Sequence, residues 1–149
     1  MKTSQKTSRI AGNAATVLYA LTIILQLLLA SGIIPITMAW GGREPVLTTN
    51  LRIASLASAA LLLFFLYVIR RRAGLVRDAS ITLPIKVLSW LISAFSALNF
   101  LGILASLSNG EKILFGPISF VLLVSCILVS LSKSEPQSPA AFKSSKVER

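Results

Sequence analysis

Four side chains crowd a short stretch between two apolar runs: Trp40, Arg43, Glu44 and Arg52. Their types suit three kinds of chemistry. An arginine and a carboxylate can pair, at best through two parallel N–H···O bonds. A guanidinium can sit over an indole face. Two arginines beside a helix N-terminus can also hold a phosphate, such as a lipid headgroup. Gly41-Gly42 separates Trp40 from Arg43 and permits a sharp turn with positive φ. The spacing therefore predicts a cap of Trp40, Arg43, Glu44 and Arg52 over the end of a helix bundle. Arg52 would stand in the first turn of a helix, where the dipole disfavours a cation. Three things could compensate it: Glu44 folded back by the Gly-Gly turn, a lipid phosphate, or snorkelling to water.

Other site chemistry is sparse. The chain has no histidine and a single cysteine, Cys126. Haem ligation by His, a Cys/His zinc site, a dithiol and nucleophile–base pairs of the Ser-His or Cys-His type are thereby excluded. One cysteine allows no intrachain disulfide. No glycine-rich phosphate loop occurs. The expectation is a protein that is not an enzyme, with no catalytic residues, no metal and no cofactor. The five acids, Glu44, Asp78, Glu111, Glu135 and Glu148, all fall outside the apolar runs. Pumps and coupled transporters usually carry protons and cations on ionisable groups inside the membrane, so that class is disfavoured.

What must position the cap is legible in the charge pattern. Residues 13–34, 53–69, 87–107 and 113–132 contain no charged side chain. Each is about the ~20 residues that cross a bilayer as a helix. Hydrophobic residues make up 54% of the chain, charged residues 13%, and the mean hydropathy is +0.79. A soluble domain usually carries about 25% charged residues. With 149 residues there is room for one membrane bundle and no separate soluble domain. The run from Ala14 to Ile34, ahead of Thr37-Met38-Ala39, exceeds the ~7–15 apolar residues of a signal peptide, so it reads as a retained first helix.

The net charge of +10 is unevenly placed. Twelve of the 15 Lys and Arg residues precede the first run, separate the second from the third, or follow the fourth. Only Arg43, Arg52 and Lys112 lie in the other two loops. This positive-inside pattern predicts both termini in the cytoplasm. Basic clusters beside a membrane read as contacts to anionic headgroups, at about 1 kcal/mol per residue. They do not read as nucleic-acid binding.

The predicted fold is all-α: a four-helix transmembrane bundle of two antiparallel hairpins, N-in/C-in. The helices are expected at about 13–34, 51–69, 84–107 and 112–132, within a single domain of residues 1–132. Residues 133–149 should form a disordered cytoplasmic tail rich in Ser, Pro and Lys. Residues 1–9 are expected to be polar and flexible. Asn13 should cap the first helix and Pro35 should stop it. Thr48, Thr49 or Asn50 should cap the second, Thr82 the third with Pro84 in its first turn, and Pro117 should lie in the first turn of the fourth. Small-x-x-x-small pairs (Ala54/Ser58, Ser55/Ala59) and the face of Ser89, Ser93, Ser96 and Ala97 suit close helix packing, within the bundle or between copies. Gln26 and Asn99 are amides at membrane depth. Each needs an interhelical hydrogen bond, or meets a ligand or permeant.

Trp40-Gly41-Gly42, then Val46-Leu47, then Leu51-Arg52-Ile53-Ala54-Ser55, with Arg72-Ala73-Gly74 after the second helix, resembles a pattern of uncharacterised small bacterial four-helix integral membrane proteins. The resemblance covers about a quarter of the chain and implies a multi-pass protein of the cell membrane, with no activity to carry over. The expected role is a non-enzymatic accessory or interaction protein in contact with the lipid bilayer, a membrane protein partner or further copies of itself. A subunit of an oligomeric transporter or channel, lined by Gln26, Asn99 and the serine face of the third helix, is the alternative. Lipid binding by Arg43 and Arg52 at an outer-leaflet pocket is a third reading. A reporter fused after Arg149 is expected to be active only on the cytoplasmic side; activity on the other side would overturn the orientation.

Overall fold

The computed structural model describes residues 2–42, 46–76 and 81–132. Among them the long elements are four helices: α1 (Lys2–Ser31), α2 (Thr49–Arg72), α3 (Leu83–Leu104) and α4 (Asn109–Leu131). Two short 3-10 turns, Ile36–Met38 and Trp40–Gly42, lie between α1 and α2. All four helices are long and apolar enough to cross a membrane. No more than 39% of any such span is buried inside the protein. The outward surface carries large side chains such as Ile33, Leu83, Leu98, Leu107 and Ile113. Hydrocarbon solvates such a surface and water does not. The fold fits a multi-pass membrane protein.

The helix ends differ from expectation, and the differences have physical causes. α1 starts at Lys2, so most of the expected polar lead is helical and Asn13 is interior rather than a cap. Tertiary contact holds these polar turns. Ser8 is fully buried, and the Ser132 hydroxyl donates to its Oγ at 2.8 Å. Gly12 lets α1 approach the end of α2, since a Cβ there would stand 2.5 Å from the Ala73 Cβ. α1 ends at Ser31 because Gly32 adopts φ 83. The Gly32 and Ile33 amides then turn back to the Leu29 and Leu28 carbonyls, both at 3.1 Å. The helix is therefore closed before Pro35 is reached. α2 runs through the arginine cluster to Arg72 instead of stopping at 69, and α3 ends at Leu104, short of 107.

Thr48 caps α2 by accepting the Leu51 N–H at 3.3 Å. Thr82 occupies the cap position of α3 without a side-chain bond, and Pro84 follows in the first turn. Ser108 caps α4 by accepting the Glu111 N–H at 3.2 Å. The helix thus starts at Asn109, and Pro117 falls in its interior rather than its first turn. There it leaves the Ile113 carbonyl without its usual donor. The predicted tail, 133–149, lies outside the described residues.

α1 packs against α2 and α4, and α4 packs against α3; α2 meets α3 much more sparsely. The bundle is therefore a ring of four with one thin side. Its core is split. The larger cluster includes Ala15, Tyr19, Val68, Ile69, Cys126 and Val129. The smaller one is Leu29, Ile36, Ala39, Ile103 and Phe115, at the end where the α1–α2 and α3–α4 links meet. At the opposite end, buried Arg72 donates from Nη2 to the Ser130 carbonyl (3.1 Å) and the Ser132 carbonyl (2.5 Å). A guanidinium on the last carbonyls of α4 suits the negative end of that helix dipole. Ser93 and Ser130 both donate to the Ser89 carbonyl, at 2.9 and 3.0 Å, and stitch α3 to α4.

Replacing Gly12 by Ala forces α1 and α2 apart and is expected to cost about 1–3 kcal/mol. Gly102→Ala, with nothing within 4 Å of the new Cβ, should be neutral or stabilising by up to about 1 kcal/mol. Thermal unfolding of both variants in the same detergent checks the contrast.

Candidate functional site

The site grows from the linker after α1. Trp40 has φ 55 and Gly41 φ 80, so two successive residues adopt the left-handed conformation. Glycine does this freely; for Trp40 it costs about 1–2 kcal/mol. Three hydrogen bonds hold it. The Trp40 indole N–H donates to Ser55 Oγ on α2 at 3.4 Å. The Gly41 N–H donates to Glu111 Oε2 at 3.0 Å, and the Gly41 carbonyl accepts the Leu107 N–H at 3.2 Å. The turn is thus tied to α2 and to the α3–α4 link at once.

Glu111 can reach Gly41 because of how α4 begins. Ser108 and Glu111 have the spacing of a capping box, in which the glutamate normally turns back to the N–H of the capping residue. In this chain the Ser108 N–H is taken by Ser106 Oγ at 3.1 Å. The Ser106 hydroxyl in turn donates to Glu111 Oε2. Relieved of its local task, the carboxylate spans the gap between the links.

Behind this turn, between the two core clusters, lies a cavity of about 270 Å³. Ala39, Trp40 and Glu111 form one end of it, and Tyr19, Phe65 and Leu122 the other. Phe65 and Phe95 close the thin α2–α3 side edge to face, with centroids 5.2 Å apart. Both amides singled out in the sequence face this space. Asn99 Nδ2 donates to Ser119 Oγ at 3.3 Å and joins α3 to α4. Gln26 Oε1 is buried with no hydrogen-bond partner. Such an orphan acceptor costs about 1–3 kcal/mol unless a donor enters the cavity.

Of the four residues expected to form the cap, Trp40 stands at the cavity's end, as described. Arg43 and Glu44 lie outside the described residues. Arg52 is exposed, with Nη2 4.0 Å from where a Cβ on Gly32 would be. It therefore sits at the C-terminal end of α1, whose dipole offsets the unfavourable end of its own helix. That compensation was not among the three foreseen. The missed residues are Glu111, Ser119 and the rings of Phe65, Phe95 and Phe115. The Ser-x-x-Glu spacing marks Glu111 as a helix-start residue, but the Gly41 contact is 70 positions away in sequence.

Chemically, the arrangement is suited to binding. Among the described residues no three His, Cys, Asp or Glu side chains cluster as metal ligands do. The class defined by fold and site is an α-helical multi-pass membrane protein with a cavity inside its bundle. No protein-family model, curated protein or solved structure matches the chain. Glu111→Ala should speed hydrogen exchange at the Gly41 amide by about ten- to a hundredfold, the equivalent of a charge-assisted bond worth about 1.5–3 kcal/mol. Unchanged exchange would show that the carboxylate does not hold the turn.

Proposed function

We propose that this chain is a non-enzymatic protein of the cytoplasmic membrane that works by holding a small molecule inside its bundle. The hairpins α1–α2 and α3–α4 run antiparallel, with both termini in the cytoplasm. The bias of twelve basic residues to three supports that orientation. On this reading the Arg72 end faces the cytoplasm, where the Lys and Arg clusters meet anionic headgroups. The Trp40–Glu111 end faces outward, and the cavity belongs to the outer half of the membrane.

The observation that carries the reading is a cavity touching both Gln26 and Asn99. A protein serving only as a docking surface needs no hollow between its core clusters. Close packing is the rule in protein interiors, and voids larger than a water molecule are few. The thin α2–α3 side favours a second reading, a subunit of an oligomeric transporter. A wall held mainly by Phe65 and Phe95 is the one that could open or receive a neighbouring copy.

The test is water-soluble thiol labelling from the outer side in a Cys126→Ser background. Asn99→Cys is expected to react, and Val68→Cys, buried in the larger cluster, to stay unlabelled. Equal protection of both positions would sink the reading, and labelling only from the cytoplasmic side would reverse the orientation.

A further inference from the structure

We infer that the cavity is a site for a small organic amine in its protonated form, held by Glu111 and the surrounding rings. This rests on the binding reading above and names the ligand class. Size comes first. A cavity of about 150 Å³ accepts benzene. The 270 Å³ of this one suits a molecule of roughly ten non-hydrogen atoms.

Charge decides the class. Glu111 is the one acid among the described residues, and it lines the cavity. Both donors it receives, the Gly41 N–H and the Ser106 hydroxyl, go to Oε2. Oε1 accepts nothing among the described residues, and no described Lys or Arg pairs with the carboxylate. Further along the wall Gln26 Oε1 is a second acceptor without a donor. The Asn99 side chain gives one of its two amide N–H groups to Ser119. Glu111 is thus the one charged group in the cavity lining, which otherwise holds neutral amides, hydroxyls and apolar side chains. A carboxylate or phosphate ligand would be repelled, and a neutral alcohol would satisfy one acceptor without balancing the charge.

The walls agree. Trp40, Phe95 and Phe115 present aromatic rings to the same space as Glu111. Ring faces attract cations, more so where water is excluded. An ammonium beside Glu111 with an apolar body among the phenylalanines would satisfy the charge, the acceptors and the apolar lining together.

The test uses the full chain in lipid nanodiscs, carrying Trp90→Phe so that fluorescence reports Trp40. Three probes of one shape are titrated: 2-phenylethylamine, 2-phenylethanol and 3-phenylpropionate. The amine is expected to bind about ten- to a hundredfold more tightly than the alcohol, the gain of one charge-assisted contact, with no saturable response to the carboxylate. Glu111→Gln should bring the amine-to-alcohol affinity ratio down to about one. Ser58→Phe, whose ring fills the cavity, should abolish the response to both. Equal affinity for amine and alcohol in the unsubstituted site overturns the amine assignment while leaving a binding cavity in place. No saturable response to any probe overturns the binding reading with it. Undiminished amine binding in Ser58→Phe also overturns the assignment, because the amine would then lie elsewhere. Should Glu111→Gln lose the alcohol too, the amine-to-alcohol ratio in the unsubstituted site and the Ser58→Phe result decide.

Discussion

One carboxylate holds together the end of the bundle where the cavity lies. Glu111 Oε2 takes the Gly41 N–H from one interhelical link and the Ser106 hydroxyl from the other. Among the described residues no other charged side chain lines the cavity. Without it the Gly41 amide would lose its acceptor, the left-handed backbone at Trp40 would lose a restraint, and the smaller core cluster would lose its lid. The cavity is bounded by the same residues that make this brace. Stability at this end and any chemistry of the cavity are therefore properties of one group.

The opposite end is built on another plan. Arg72 reaches the last carbonyls of α4, Ser8 meets Ser132, and the apolar cluster around Ile69, Cys126 and Val129 fills the interior. A cation on a helix C-terminus is favourable where a cation on an N-terminus is not. Arg52 obeys the same rule indirectly, by lying beside the end of α1. The result is asymmetric: one end packed solid, the other braced around a hollow. Serine and threonine hydroxyls along the helices do not disturb this. Thr16, Thr22, Ser93 and Ser96 return their hydrogens to the carbonyl four residues back. The side-chain amides of Gln26 and Asn99 make no such return bond and face the cavity.

Helix existence and number were readable from runs without charge, because hydrocarbon tolerates few other backbones. Helix ends were readable where a local device sets them, as with Thr48 before α2. They were misread where a distant contact extends the helix, as at Ser8 and Gly12. Glycine outranked proline as the stop after α1, since Gly32 reaches the left-handed region that closes the last turn before Pro35 arrives. For the site, residue type pointed to the linker and to Trp40, Gln26 and Asn99. It pointed to Glu44 as the acid and passed over Glu111. Glu111 borders an apolar run, and nothing in one dimension says that it will face Gly41, 70 positions away.

By itself, the amino-acid sequence determined that the chain has four membrane-length apolar helices, a strong charge bias between their ends, and neither the histidine nor the second thiol that much site chemistry needs. Those are properties of composition and of spacing within a few turns, where neighbours in sequence are neighbours in space. Only the tertiary structure decided that α2 and α3 touch thinly, that the core divides in two, and that Glu111 closes over the gap. Each depends on groups brought together from positions far apart in the chain, and on how four helices fit once their ends are tied.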